Sequence, residues 1–91
     1  MTEPTLPEII AQGESLTVEF KSDQGLLDDG DLLDAVVCMA NGQGGLLLIG
    51  VENDGAITGL HSKHRTRPEL LAAFISSRTV PPLTVRFHLK R

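Results

Sequence analysis

The stretch Leu46-Leu47-Leu48-Ile49-Gly50-Val51 is apolar on both faces of an extended chain, and it constrains the fold more than any other part of the sequence. A strand without a polar side belongs inside a sheet, with both faces covered. At this length it is far short of the roughly 20 residues that span a bilayer, so the cover has to come from the protein itself. Gly42-Gln43-Gly44-Gly45 makes a tight connection before it, and Asn53-Asp54-Gly55 after it has the residue chemistry of a hairpin turn. The 56–60 segment is therefore expected to return antiparallel beside a central strand.

Flanking segments supply the rest of a layered domain. Thr5-Leu6-Pro7-Glu8 has capping-box spacing, which predicts a short helix to about Gln12, stopped by Gly13. Leu16, Val18 and Phe20 then alternate with Thr17, Glu19 and Lys21, the period of a half-buried strand. Asp28, Asp29 and Asp31 put negative charge where a helix begins, and Leu33, Val36, Val37 and Ala40 recur at helical spacing up to Asn41-Gly42. Thr66-Arg67-Pro68-Glu69 repeats the capping pattern ahead of Leu70, Leu71, Phe74 and Ile75, a third helix ended by Pro81-Pro82. In a last strand Leu83, Val85, Phe87 and Leu89 alternate with Thr84, Arg86, His88 and Lys90. The expected fold is α+β (mixed α/β), with about four strands in a mixed sheet, about three helices and the order α-β-α-β-β-α-β. Because the sequence stops directly on that strand, residues 1–91 are expected to be a single domain at the N-terminus of a longer protein.

Charge is distributed unevenly. Residues 1–60 hold eleven acids and one base, Lys21, for −10, while residues 61–91 hold Glu69 and seven bases, for +6. The whole chain is acidic, with a net charge of −4, yet its basic end can still engage phosphate locally. The single cysteine, Cys38, sits in a helical apolar pattern and is expected to be a buried core thiol; it excludes an internal disulfide and a cysteine-rich zinc site. With no signal-like start and no membrane-length apolar run, a cytoplasmic protein without membrane association is expected.

Three places carry candidate chemistry. Glu19 and Lys21 share one strand face, and in metal-dependent phosphodiester cleavage such a carboxylate holds Mg²⁺ or Mn²⁺ while the lysine steadies charge on phosphate. Charges alternating with apolar residues on a strand are more commonly just its solvent-facing side. Glu14, five residues before Glu19, falls on the opposite face of an extended strand and converges with it only if the chain bends near Gly13–Ser15. Asp54 or Glu52, after the central strand, offers a third carboxylate, although Asp before Gly is also ordinary turn chemistry. The densest basic run, His61 to Arg67, leads into the third helix and offers Lys63, Arg65 and Arg67 to phosphate, with Arg86 and Lys90 further on; a solvated loop is the plain alternative. Gly42–Gly45 is no phosphate loop, since Leu46 and Leu47 stand where a lysine and a hydroxyl are needed. There is no Trp or Tyr, and Phe20, Phe74 and Phe87 fall on core faces, so base stacking is disfavoured.

Taken together, "GESLTVEFKSD" and "MANGQGGLLLIGVENDGAITGL" resemble the Schlafen AlbA-type DNA-binding domain family, found in bacterial transcriptional-regulator-like and helicase-like proteins and in the animal Schlafens. The similarity covers about residues 8 to 90. It implies an α/β domain that binds DNA or RNA, here as a module of a bacterial transcriptional regulator. In the Schlafen branch it also implies an RNase with three acidic residues, the first two matching Glu14 and Glu19 in spacing and the third placed at Asp54 or Glu52, with Mg or Mn as cofactor. That nuclease is built from paired lobes, so a short domain would have to form a homodimer. A further alternative is a protein-interaction or oligomerisation module that pairs its acidic and basic ends.

Overall fold

The computed structural model describes residues 4–79. A first helix, α1 (Leu6–Gln12), begins on Thr5 with the capping box read from the sequence: Glu8 N–H donates to Thr5 Oγ1 at 3.3 Å, and Glu8 Oε1 accepts from Thr5. Gly13 ends it in a left-handed conformation, φ 78°. The chain then enters a strand, β1 (Val18–Lys21), a helix, α2 (Asp29–Asn41), and a second strand, β2 (Leu46–Ile49). β1 and β2 pair in parallel, with Val18 opposite Leu46 and Lys21 opposite Ile49. Two parallel strands need a crossover, and α2 is that crossover. The short α3 (Ser62–Arg65) and α4 (Glu69–Arg78) complete the described fold.

The mixed α/β class holds; of the expected four-stranded sheet, two paired strands are present among the described residues, which also hold four helices. The expected return strand at 56–60 is reduced to one antiparallel bridge, Val51 to Ile57. Gly50 is the reason. It takes a φ of 92°, which breaks the extended run after Ile49, and its carbonyl accepts from both Thr58 N–H at 2.9 Å and Gly59 N–H at 3.0 Å. Two backbones cross there so closely that a Cβ on Gly50 would sit 2.7 Å from the Gly59 carbonyl carbon and oxygen. The expected last strand, 83–89, lies outside the described residues. With β1 as its only described partner strand, β2 is half-buried rather than fully covered, and Leu46 is exposed.

The core is Phe20, Leu32, Val51 and Ile75. α2 and α4 pack together. Asp28 caps α2 as its position predicts, accepting from Gly30 N–H at 2.9 Å. The buried stripe of α2 is shifted from the expected one, however: Leu32 is its fully buried residue, while Val37 and Ala40 are exposed. Cys38 is also exposed, so the expectation of a core thiol is corrected; the stripe that would have enclosed it faces elsewhere. Leu16, expected on the apolar strand face, is 86% exposed because it belongs to the turn before β1. None of the described helices is long and apolar enough to cross a membrane.

Candidate functional site

The turn at Leu16-Thr17 answers the question that odd spacing raised about Glu14 and Glu19. Ser15 N–H donates to the Val18 carbonyl at 2.9 Å and the two residues form an antiparallel bridge, so the chain doubles back before β1 starts. Glu14 is thereby brought alongside β1, where its Oε1 accepts from Phe20 N–H at 3.1 Å. Glu14 thereby lies near enough to Glu19 to act on it: the Glu19 pKa is raised, first by burial, then by side-chain hydrogen bonding and charge from Glu14, with Lys21 opposing.

A carboxyl whose folded pKa is raised contributes stability that is complete below the unfolded value of 4.5 and is lost as pH rises through the folded pKa. Glu19→Gln is therefore expected to raise the thermal midpoint at pH 7, with the gain fading as pH falls toward 4.5. Melts of both proteins across that range test it, and a gain that is independent of pH would remove the carboxyl pair as its cause.

Glu19 and Lys21 line an open cleft of about 690 Å³ between β1 and α2, opposite Asp31, Asp34, Cys38 and Met39. Three carboxylates against one lysine make this cleft repel phosphate on its own account. The third expected metal ligand is engaged elsewhere. Asp54 Oδ1 accepts from Ala56 N–H at 2.9 Å, the turn role that Asp before Gly commonly fills, and Glu52 Oε2 accepts from the Thr58 hydroxyl at 2.6 Å. Among the described residues no group of three or more His, Cys, Asp or Glu side chains is placed to hold a metal ion. The residues present therefore do not fit the three-carboxylate Mg or Mn site, although Glu14 and Glu19 do meet.

The basic run contains α3. His61 caps α3, its Nδ1 accepting from Lys63 N–H at 3.1 Å, and Lys63 and Arg65 stand exposed on that turn. The second capping box is absent: Thr66 Oγ1 donates to the Ser62 carbonyl instead, and Pro68 begins α4 without a side-chain cap. Glu69 takes up the positive end of α4 with its own carboxylate, whose pKa is lowered first by its backbone N–H and then by Arg67. Arg67 Nε lies 3.2 Å from Glu69 Oε1, so Arg67 is shared with an internal anion while Lys63 and Arg65 are not part of any ion pair among the described residues. Arg86 and Lys90 lie outside the described residues.

Asp23 had no sequence signal, and it organises this region. Its side chain is fully buried in the loop after β1 and accepts three hydrogen bonds: from Leu27 N–H at 2.7 Å, His61 N–H at 2.9 Å and His64 Nδ1 at 2.7 Å. Burial raises its pKa, but the bonds from Leu27, His64 and His61 outweigh it and the pKa is lowered. Asp23 is therefore an ionised acceptor near neutral pH, and His64 must carry its proton on Nδ1. Two of these partners are 38 and 41 residues away in sequence, beyond any local pattern.

One family model, described as Schlafen, AlbA_2, matches residues 14–91. No curated protein and no solved structure matched the chain.

Proposed function

Because the chain belongs to the Schlafen, AlbA_2 family, a family associated with nucleic acid, we propose that this domain binds nucleic acid through the basic turn of α3. The observation that carries this reading is the pair of exposed cations Lys63 and Arg65, in no ion pair among the described residues, on a turn held by Asp23. Arg67 contributes once its bond to Glu69 is exchanged for a phosphate, and Arg86 and Lys90 belong to the same basic C-terminal third of the sequence. The acidic cleft at Glu19 sets the limit of the footprint, since a polyanion is repelled there. We read the domain as the DNA-binding module of a larger bacterial regulator.

Phosphate contacts of this kind release counterions, so affinity should fall with salt by roughly 0.9 log units per log unit of salt for each phosphate neutralised on duplex DNA. Fluorescence anisotropy with a labelled duplex over a salt series is expected to give that linear fall. The double variant Lys63→Ala, Arg65→Ala should reduce the slope by about two contacts' worth. Binding that is indifferent to salt, or none at low salt, would falsify the reading.

A second reading, Mg- or Mn-dependent nucleic-acid cleavage, has one observation in its favour: the turn at Leu16-Thr17 brings Glu14 and Glu19 together beside Lys21. Against it stands the unassembled third ligand. Under this reading Glu19→Gln abolishes any metal-dependent cleavage of single-stranded DNA or tRNA while binding persists. Cleavage at the parental rate in that variant clears Glu19 of a role.

A further inference from the structure

We infer that Asp23 is the positioning residue of the phosphate-contacting turn: its buried carboxylate fixes α3, through the His61 amide and the His64 ring, in the orientation that presents Lys63 and Arg65 outward. This rests on the reading of that turn as the nucleic-acid contact. α3 has four residues and buries none of them. A helix that short is not stable by its own hydrogen bonds, and without a buried apolar side chain it gains little from packing. What ties it to the rest of the fold is Asp23, which takes the His61 N–H at 2.9 Å and the His64 Nδ1 at 2.7 Å, leaving the His64 side chain only 14% exposed.

The carboxylate is itself 0% exposed, so an approaching phosphate meets the two cations and not the acid behind them. Asp23 also holds its own end rigid. Its backbone carbonyl accepts from Leu26 N–H at 3.1 Å and its side chain from Leu27 N–H, closing a loop in which Leu26 takes a φ of 64°. A non-glycine residue in the left-handed region persists only where its surroundings hold it there. The anchor is thus stiff on the β1 side, and the turn it carries is ordered before a ligand arrives. A turn released from it would be ordered at the moment of binding, at the expense of affinity.

The test uses the full chain and a fluorescein-labelled DNA duplex, with four variants: Asp23→Asn, His64→Leu, His64→Asn, and Lys63→Ala with Arg65→Ala. Asparagine at 64 keeps an N–H donor near the place of the imidazole Nδ1, whereas leucine keeps bulk without a donor. We expect Asp23→Asn and His64→Leu to reduce both affinity and the salt slope toward the values of the double cation variant. His64→Asn should restore most of both. Protection of the His61 amide in hydrogen exchange should follow the same order without any ligand. If Asp23→Asn and His64→Leu keep the parental slope while the double cation variant loses about two contacts, the inference fails and the binding reading stands. If the parent shows no salt-dependent binding, both fail. Rapid exchange of the His61 amide in the parent would overturn the anchor by itself.

Discussion

Asp23→Ala is expected to lower the unfolding free energy by about 3–5 kcal/mol, because three donors lose their buried acceptor at about 1–3 kcal/mol each and part of that loss is recovered by relaxation. The carboxylate is 0% exposed and serves three donors. Removing it leaves the Leu27 amide, the His61 amide and the His64 ring without the acceptor they were folded around. Each donor left unpaired in a buried site costs about 1–3 kcal/mol, and a domain of this size has only about 5–15 kcal/mol in total. Urea denaturation at pH 7 measures the loss.

Its pH dependence identifies the cause. The folded pKa of Asp23 lies below the ordinary value of 3.8, so the stability it contributes is present above 3.8 and disappears as pH falls through the folded pKa. The gap between parent and Asp23→Ala should therefore be constant from pH 7 down to about pH 4 and narrow below it. A gap of about 1 kcal/mol or less at pH 7 would show that the three bonds are made to water as readily as to Asp23.

Gly50→Ala is the second large effect, about 2–6 kcal/mol from two sources that act at one atom. A side chain at φ 92° carries conformational strain of about 1–3 kcal/mol. Its Cβ would also lie 2.7 Å from the carbonyl carbon and oxygen of Gly59, which are backbone and cannot rotate away, and forcing extra volume into such a contact costs about 1–3 kcal/mol. Gly59→Ala separates the two contributions. Gly59 has a φ of 81° but open space where its Cβ would go, so its variant should show the strain alone. Equal losses in the two variants would mean that the backbone crossing relaxes without penalty. The crossing itself is what ends β2 and delivers Val51 to the core.

Gly45 obeys the same steric rule at the other end of β2. An added Cβ there would overlap the Thr17 carbonyl and come within 2.8 Å of its Cα, which is why a glycine stands where the helix-to-strand connection meets the turn before β1. That turn in turn sets Glu14 against Glu19. The glycines of this sequence read as loop punctuation, but two of them are close backbone contact points, Gly50 with Gly59 and Gly45 with Thr17.

Local chemistry was legible where its cause was local. The capping box at Thr5 and Glu8, the Asp28 cap, the helix over 29–41, the Asp54 turn and the strand character of Val18–Lys21 all depend on residues a few positions apart, and they form as their spacing predicts. Two local readings failed for an equally physical reason. The second capping box lost to a competitor, because Thr66 found the Ser62 carbonyl one turn back and Glu69 found Arg67. The return strand lost to Gly50, whose left-handed backbone is not encoded in an apolar pattern.

The Glu14–Glu19 pair was half legible. Its spacing marked both residues, but a period of two put them on opposite faces, and only the reversal at Leu16-Thr17 brought them together. Burial was harder still. Helical spacing on α2 fits several overlapping stripes, and which of them is buried is decided by what packs on the helix rather than by α2 itself: Leu32 is buried and Cys38 is exposed.

By itself, then, the sequence determined the α/β alternation, the caps of α1 and α2, the segregation of charge and the family, because each is a property of neighbouring residues or of a continuous pattern. Tertiary structure alone decided that Asp23 would be the anchor of the basic turn, that Asp54 would stay with its own loop, and that on this turn Lys63 and Arg65 would stand exposed and outside any ion pair among the described residues. Those outcomes depend on which distant donor reaches which buried acceptor. A buried carboxylate has to find its hydrogen bonds wherever the fold provides them, here about forty residues away.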